Sequence, residues 1–440
     1  MKITLLPLYF DPGRDENFDK HLTLVRNLLD AEAEFLEPAA LGKALPDADA
    51  VIFPQMLGEA YSLIEELKAI PVPILVITST FGTVNMWDWE LVHYLRLKGV
   101  STICPPNLED TKTVCRALLV RKQLAMSKFV VYLDDPAGPT GKQSDIFKRF
   151  YWLEKEAPRV MFEKYGISIE KRSFRELGKR AAAIPDAEAE AFIETWPSSK
   201  LSIGGRPLLS AVKLYMEVKK DYLEEEDILA MGINCLNESH HCDTTPCLAW
   251  NLLYQEEKLV WGCEADTMVM LTEILADKVL QVPFFMTNLY PFIMGKAALA
   301  HERIPYFPEV DEPDNHILAA HCGYFGLLPE PFSTDWHLRK RVLAMVDENA
   351  TMIDARMPTG PITLVKFQPF LQKISLSEAE LTGYVQYEDS DCLNGGIIKV
   401  RNGQDFVDKV VSHHYVVLEG HRKAALKLIA DIFDYELEVI

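Results

Sequence analysis

Residues 258–288, KLVWGCEADTMVMLTEILADKVLQVPFFMTN, decide the fold that we predict for this chain. Leu259–Cys263 is a short apolar run typical of a buried strand, and a second such run follows at Val282–Met286. Between them, apolar residues recur at helical spacing over residues 267–279, and Asp266 is a suitable N-cap for that helix. A strand, a crossover helix and a second strand form the repeating unit of parallel α/β sheets.

Polar side chains follow both predicted strands. Glu264 and Asp266 come directly after the first strand, and Asn288 ends the second. In α/β folds, ligands bind at the carboxyl ends of the strands, so these residues are candidates for a site. Glu264, which continues directly from the buried strand, is better explained as a site residue than as a solvent-facing one. For Asp266 two interpretations remain open, a helix cap that faces solvent or a member of the site.

The composition is that of a globular protein, with 48% hydrophobic and 25% charged residues in a chain of 440. This length suggests about two to four domains. The net charge of −20, without any lysine- or arginine-rich run, argues against binding to nucleic acid or to anionic membranes. No secretory signal is recognisable, and no apolar stretch approaches the roughly 18 residues that span a bilayer.

The eight cysteines are scattered along the chain, as expected for reduced thiols in a cytoplasmic protein. His241, Cys242 and Cys247 resemble part of a zinc site. Because no second pair of ligands at zinc-binding spacing accompanies them, we do not assign a structural zinc there.

Three domains are predicted, giving an α/β fold. Residues 1–126 and 127–285 alternate strands with helices, which indicates two Rossmann-like α/β domains with parallel sheets. Residues 286–440 contain short alternating runs and read as a C-terminal antiparallel β domain. Within the second domain, residues 144–163 are predicted to form one long helix. In the first domain, the polar loop Thr78–Thr83 after a predicted strand is a candidate pocket wall, but no glycine-rich nucleotide motif is present.

Two histidine settings could carry chemistry. His321 ends an apolar run, and the pair His413-His414 precedes the predicted strand Tyr415–Leu418. A lone histidine after an apolar run is more often a structural residue than a ligand. For the pair, strand alternation would send the two rings to opposite faces, so that only one needs to enter a site.

Several segments, taken in their order along the chain, resemble the L-fucose isomerase and L-arabinose isomerase superfamily, especially its fucose isomerase-like members. The matching segments are Thr245–Ala249 (TPCLA), Cys263–Asp266 (CEAD), Val282–Met286 (VPFFM), His321–Gly323 (HCG), Gly360–Leu364 (GPITL) and His413–Tyr415 (HHY), with Glu419-Gly420 after the last. The alternation of strands and helices in the first two domains also fits this superfamily, so the resemblance covers most of the chain.

The resemblance implies a metal-dependent intramolecular oxidoreductase that interconverts an aldose and a ketose through an enediol. A divalent ion, most often Mn²⁺, would be held by a glutamate that corresponds to Glu264, by a second carboxylate and by a histidine, which we assign to His414. Oxygen ligands with one imidazole suit Mn²⁺. The ion would act as a Lewis acid while carboxylates move the proton. The resemblance also implies a homo-oligomer, either a trimer or a hexamer.

The chain departs from this pattern at Asn288, where the family has its second carboxylate. An asparagine can coordinate an ion through its carbonyl oxygen but cannot accept a proton as a base. Three outcomes stay open: Asp266 serves as the base, the chain catalyses a different metal-assisted sugar reaction, or it is a non-catalytic carbohydrate-binding or regulatory protein.

The site that we predict therefore contains residues in three roles. The catalytic residues are Glu264, Asn288 and Asp266; the metal ligands are Glu264, His414 and Asn288; and the substrate contacts are His321 and His413. The partner is a small sugar whose identity the sequence does not fix.

Overall fold

The computed structural model describes residues 1–11, 13–134, 150–195, 203–235, 242–299, 304–321, 335–340, 351–387 and 394–440. The chain divides into two compact units. Unit 1 comprises residues 1–123 together with 278–280 and 424–435, and unit 2 comprises residues 124–277, 281–423 and 436–440.

Unit 1 contains a parallel sheet with the strand order β2-β1-β4-β5-β6, and β3 pairs with the end of β1. Its strands are β1 (Ile3–Tyr9), β2 (Ala33–Phe35), β3 (Ala39–Ala40), β4 (Ala50–Phe53), β5 (Ile74–Val76) and β6 (Thr102–Ile103). Its helices include α1 (Glu16–Leu28), α2 (Ile64–Lys68), α3 (Trp89–Leu97) and α4 (Leu108–Leu124). Helix α1 shows why these elements form, because Asp15 caps its first turn and Phe18, Leu22 and Val25 bury one face.

Unit 2 begins with a second parallel sheet, whose order is β10-β9-β7-β8 in the described residues. Its strands are β7 (Lys128–Tyr132), β8 (Ser168–Arg172), β9 (Ile228–Ile233) and β10 (Val260–Cys263). The accompanying helices are α5 (Glu156–Tyr165), α6 (Phe174–Ala183), α7 (Asp186–Ile193), α8 (Arg206–Leu223), α9 (Cys247–Glu257) and α10 (Thr267–Ile274). Helix α10 continues as a π-helical turn over Leu275–Leu280.

An antiparallel barrel makes up most of the rest of unit 2. Its order is β15-β18-β11-β12-β17-β16, and pairing between β15 and β16 closes the ring. These strands are β11 (Phe284–Pro291), β12 (His316–His321), β15 (Gly360–Gln368), β16 (Lys373–Gln386), β17 (Asn394–Lys399) and β18 (His414–Glu419). Closure leaves few unpaired strand edges, and an apolar core that includes Phe285, Leu364 and Tyr415 packs together.

The remaining elements are short or peripheral. Strands β13 (Asp335–Lys340) and β14 (Thr351–Arg356) pair with each other, and β19 (Glu436–Val439) runs parallel to β16. The last helices are α11 (Lys296–Leu299), α12 (Gly403–Lys409) and α13 (Lys423–Phe433). Within the described residues, no helix combines the length and the apolar character needed to cross a membrane.

The predicted fold class is confirmed, since parallel α/β sheets are followed by an antiparallel β structure. The two domain boundaries stay predictions, although the one between residues 285 and 286 falls inside β11.

The structure corrects one prediction about β11. We expected it to be the second strand of a parallel unit with β10, whereas it pairs antiparallel with β12 and β18 in the barrel. An apolar run identifies a buried strand but carries no information about its partner, and here the partner β18 lies far along the chain. As a result, Asn288 lies within a strand rather than after its end.

The predicted long helix over residues 144–163 is also wrong in its described part. A 3₁₀ turn occupies Tyr151–Leu153, and α5 begins only at Glu156. Pro158 explains this boundary, because a proline is tolerated in the first turn of a helix but not in its interior. Residues 144–149 lie outside the described part of the chain.

Candidate metal centre

Glu264, His413 and His414 place one ligand atom each within 4.8 Å of one another. The Oε2 atom of Glu264 lies 3.5 Å from Nε2 of His414 and 3.7 Å from Nε2 of His413. Ligand atoms bound to one ion at about 2.0–2.2 Å stand roughly 2.8–3.8 Å apart at coordination angles of about 90–120°, so this spacing fits a metal ion. Elsewhere in the described residues, no other group of three such side chains meets the same distance limit.

Glu264 is held by a strained turn at the end of β10. Both Glu264 and Ala265 have positive φ angles, 54° and 53°, which cost about 1–2 kcal/mol for residues other than glycine. Hydrogen bonds from neighbouring segments hold this turn: Ala265 N–H donates to the carbonyl of Ile233 at 3.1 Å, and Trp152 Nε1–H donates to the carbonyl of Glu264 at 3.1 Å. Backbone strain of this kind is concentrated at functional sites. Here the strained turn places the Glu264 carboxylate beside the His414 imidazole.

The two imidazoles come from the start of β18. His414 is its first residue and is buried, whereas the side chain of His413 is 38% exposed. The ring centroids lie 4.1 Å apart, so both rings face the same carboxylate. The prediction that alternation would separate the rings is wrong, because His413 precedes the strand and does not follow its pleat.

Buried polar atoms at the centre lack partners. Within the described part of the chain, Glu264 Oε2, His414 Nε2 and Asn288 Oδ1 make no hydrogen bond. Leaving a buried polar atom unsatisfied costs about 1–3 kcal/mol. A bound cation would satisfy the Glu264 carboxylate and the His414 imidazole together, so the residues present fit a metal.

Asn288 lies beside this group rather than at a strand end. It is the cross-strand partner of His414, and its Nδ2 donates to the hydroxyl of Tyr290 at 3.3 Å. Cross-strand partners have Cβ atoms about 4.5–5.5 Å apart, so the amide lies next to the His414 imidazole. This position keeps Asn288 available as a neutral oxygen ligand.

Asp266 is both a helix cap and a neighbour of the centre. Its Oδ1 accepts hydrogen bonds from the N–H groups of Met268 and Val269 at 2.9 and 3.1 Å. Its Oδ2 lies 2.7 Å from Nζ of Lys366 and 3.0 Å from Nδ1 of His414. The side chains of Asp266, Lys366 and His414 have no exposed surface, so the cap is buried rather than facing solvent.

The burial of Asp266, His414 and Lys366 shifts the pKa values of all three side chains. Burial alone would raise the pKa of Asp266, but the charge of Lys366 and the hydrogen bond with His414 outweigh it and hold the pKa well below its usual range. Burial, reinforced by His413, lowers the pKa of His414, which keeps its imidazole neutral. Burial also lowers the pKa of Lys366, and the adjacent Asp266 opposes this shift. A neutral imidazole is the form that binds a metal.

Aromatic side chains that sequence reasoning missed form one wall of the centre. Trp152 lies against the His414 ring at 5.3 Å and stacks on Phe150 at 4.4 Å, and Phe150 contacts His413 at 5.4 Å. The Nζ of Lys366 lies 5.5 Å from the centroid of the Trp152 ring. The aromatic run Phe150–Trp152 could have indicated this wall from the sequence. It was missed because Pro158 was not taken as part of a helix start, so the run was placed inside the predicted helix over residues 144–163.

His321 does not join this group. It ends β12 one position beyond the Ala320–Asn288 pair, so its Cβ leaves the barrel wall on the face opposite Asn288. Cys322 and Gly323 of the same motif lie outside the described residues, as does His241 of the partial zinc motif.

Comparison with known protein families finds no matching family, and comparison with curated proteins finds no match either. The centre therefore has to be interpreted from its own chemistry.

Proposed function

We propose that this protein is a metal-dependent aldose–ketose isomerase acting on a small sugar. The observation that carries the proposal is the position of the buried Glu264 carboxylate, which lies 3.5 and 3.7 Å from two imidazoles with its Oε2 unsatisfied in the described residues. The sequence resemblance to sugar isomerases adds the reaction class.

The proposed ligands are Glu264, His413 and His414, with the Asn288 carbonyl as a further oxygen donor. One more imidazole than expected makes the site softer than a set of carboxylates with a single histidine. Imidazoles also suit Fe²⁺, Co²⁺ and Zn²⁺, and two histidines with one carboxylate recur in iron and zinc enzymes. Mn²⁺ remains our proposed ion because the carboxylate and the amide supply two oxygen donors, and a titration with each of the four ions tests this choice.

A divalent ion at this centre would act as a Lewis acid on the carbonyl and hydroxyl oxygens of C1 and C2 of the sugar. Glu264 would move the proton between these carbons, because both oxygens of Asp266 are already occupied by hydrogen bonds. The exposed edge of His413 would contact sugar hydroxyls where the centre opens. Trp152 and Phe150 would keep water away from the buried imidazole.

A second candidate function is sugar binding without turnover. One observation favours it: the second carboxylate near the centre, Asp266, is already paired with Lys366, so Glu264 must serve both as ligand and as base. A different metal-assisted sugar reaction is the third possibility, and it uses the same residues.

Proton exchange separates these candidates. The protein would be incubated with a panel of aldoses and ketoses in D₂O, with Mn²⁺, Fe²⁺, Co²⁺ or Zn²⁺, and followed by proton NMR. An isomerase incorporates deuterium at C2 of the aldose, or at C1 of the ketose, and produces the other sugar. Thermal stabilisation by a sugar without deuterium incorporation under any metal would leave the binding protein as the better description.

The control variants are Glu264→Gln and Glu438→Gln. The first should abolish exchange, since it removes the proton carrier and the charged ligand. The second alters a carboxylate of unit 2 that pairs with Lys373 and Ser375, and it should leave exchange unchanged.

We also propose that the chain forms a trimer or a hexamer, as the resemblance implies, and that it resides in the cytoplasm, which the scattered cysteines favour. Light scattering coupled to size exclusion measures the number of copies, and a monomer at micromolar concentration would contradict this proposal.

A further inference from the structure

We propose that Asp266 and Lys366 are positioning residues that fix His414 in the one tautomer able to bind a metal through Nε2. This inference rests on the proposed metal centre, and it assigns a role to two side chains that do not themselves belong to the ligand group.

The argument starts from the two oxygens of Asp266. Oδ1 accepts two backbone N–H groups from the first turn of α10. Oδ2 accepts a hydrogen bond from the ammonium of Lys366, which has no acceptor capacity of its own. Each oxygen thus has donors directed at it, and the carboxylate acts as an acceptor throughout.

The tautomer of His414 follows from this arrangement. Its Nδ1 lies 3.0 Å from Oδ2, and two acceptors would repel each other at that distance, so Nδ1 carries the proton and donates it. In a neutral ring, Nε2 then carries a lone pair. This lone pair faces Oε2 of Glu264 at 3.5 Å, and such a pairing of two acceptors becomes favourable when a cation lies between them.

Lys366 supplies the positive charge that makes this arrangement possible in the interior. The side chains of Lys366 and Asp266 have no exposed surface, and the Trp152 ring lies next to the ammonium. A buried carboxylate without a partner is strongly destabilising, whereas a close pair with further hydrogen bonds is tolerated. Lys366 therefore acts on the metal through Asp266 and His414.

The variant Asp266→Asn tests this chain of contacts with little change in shape. The asparagine carbonyl would keep the two cap hydrogen bonds of α10, which turns the amide NH₂ toward His414. Nδ1 would then have to accept a hydrogen bond, the proton would move to Nε2, and the lone pair needed by the metal would be lost. Loss of an outer partner of a ligating histidine typically weakens metal binding by about 10–100-fold.

The experiment has two readouts. Nitrogen-15 NMR of histidine-labelled, metal-free protein reports which ring nitrogen carries the proton, and a His414→Gln sample assigns the resonance. Titration with Co²⁺ then gives the affinity from the visible absorption of the bound ion. We expect an Nδ1–H tautomer in the unmodified protein, an Nε2–H tautomer in Asp266→Asn, and a loss of affinity of about 10–100-fold.

Further variants separate positioning from a loss of folding. Asp266→Asn/Lys366→Met removes both charges, so no buried charge remains unpaired, and it should share the weak metal binding of the single variant. Lys373→Met removes a lysine–carboxylate pair from a neighbouring strand of the barrel and should leave the tautomer and the affinity unchanged.

An Nε2–H tautomer in the unmodified protein, or wild-type affinity in Asp266→Asn, would overturn the inference. Because the tautomer is read without metal, the inference and the proposed function can fail separately. A protein with the expected tautomer and metal affinity but no sugar turnover would remove the isomerase proposal alone.

Discussion

The carboxyl ends of two parallel sheets, one in each unit, differ in how their polar groups are satisfied. In unit 1, Thr78 and Thr83 of the loop after β5 donate to Asp88 and to the carbonyl of Pro105, and Ser79 accepts two backbone N–H groups. In unit 2, the turn after β10 leaves Glu264 Oε2 buried and unsatisfied in the described residues. Both edges are polar in sequence, yet among the buried side-chain atoms that the structure describes, unsatisfied acceptors occur at the second edge and not in the Thr78–Thr83 loop.

This difference explains why only one edge resembles a site. The hydroxyl groups of the unit 1 loop stabilise the loop itself, so the pocket wall that we predicted there has little binding capacity left in those side chains. At the unit 2 edge, a barrel strand brings imidazoles to the unsatisfied carboxylate. Unsatisfied buried atoms are costly, and their survival points to a ligand.

The largest effect is expected on metal affinity, when a carboxylate is altered at the unit 2 edge and, as a control, at the unit 1 edge. Glu264→Gln removes the charged ligand and should weaken Mn²⁺ or Co²⁺ binding by more than about 100-fold, beyond what loss of an outer-shell contact causes. Asp88→Asn, the matched change at the unit 1 edge, should leave the affinity unchanged. Isothermal titration measures both. Equal affinities for the two variants would show that Glu264 is not the anchor of the centre.

The next effect concerns the backbone around the strained turn. A Cβ added at Gly262 would lie 2.8 Å from the carbonyl oxygen of Asp266 and 2.9 Å from Met270, so Gly262→Ala should destabilise the fold by about 1–3 kcal/mol. It should also weaken metal binding, since Asp266 must shift. Gly82→Ala in unit 1 meets Leu108 at 2.7 Å with a φ of +75°, and it should destabilise without changing the metal affinity. Urea denaturation followed by metal titration distinguishes the two variants.

A smaller effect depends on pH and on Glu273, which is fully buried in α10. Burial, reinforced by the charge of Asp266, raises the pKa of this carboxyl well above its ordinary value of 4.5. The folded state therefore keeps a proton that the unfolded state releases, so the stabilisation is complete below pH 4.5 and is lost as the pH rises toward the folded-state pKa. The loss amounts to about 1.4 kcal/mol per pH unit in that window.

Glu273→Gln tests this dependence because glutamine stays neutral. The variant should gain stability relative to the unmodified protein as the pH rises from 5, and the two should converge near pH 4. Glu90→Gln, at an exposed position of α3 in unit 1, should show no such divergence. Parallel curves for Glu273→Gln and the unmodified protein between pH 5 and 7 would mean that Glu273 is ionised in the fold.

The smallest effect is expected on stability at the unit 1 edge, where the polar groups of the loop after β5 are hydrogen-bonded. Thr111 is buried and donates to the carbonyl of Gly82 at 2.6 Å, and Thr111→Val should cost about 1 kcal/mol by removing this hydrogen bond. Metal binding should not change, and thermal denaturation with and without Mn²⁺ measures both quantities. A loss of metal affinity in this variant would undo the contrast between the two edges.

The sequence was informative where local pattern determines structure. The strand Val260–Cys263, the cap at Asp266 and the position of Glu264 directly after a buried strand all follow from neighbouring residues. The pairing of Asn288 with His414 and the ion pair between Asp266 and Lys366 do not, because each joins segments that are distant in the chain. The contact between Trp152 and His414 also joins distant segments, so neighbouring residues could not predict it.

The closed barrel gives the centre an order of assembly. Glu264 follows a strand of the parallel sheet, whereas both imidazoles lie at the start of β18, which pairs with β11 and β15 in the closed barrel. During synthesis, the Glu264 carboxylate emerges well before the two histidines, so the three proposed ligands would come together only after almost the whole chain has left the ribosome. Metal binding would thus be a late step of folding, which requires β18 to have joined the barrel.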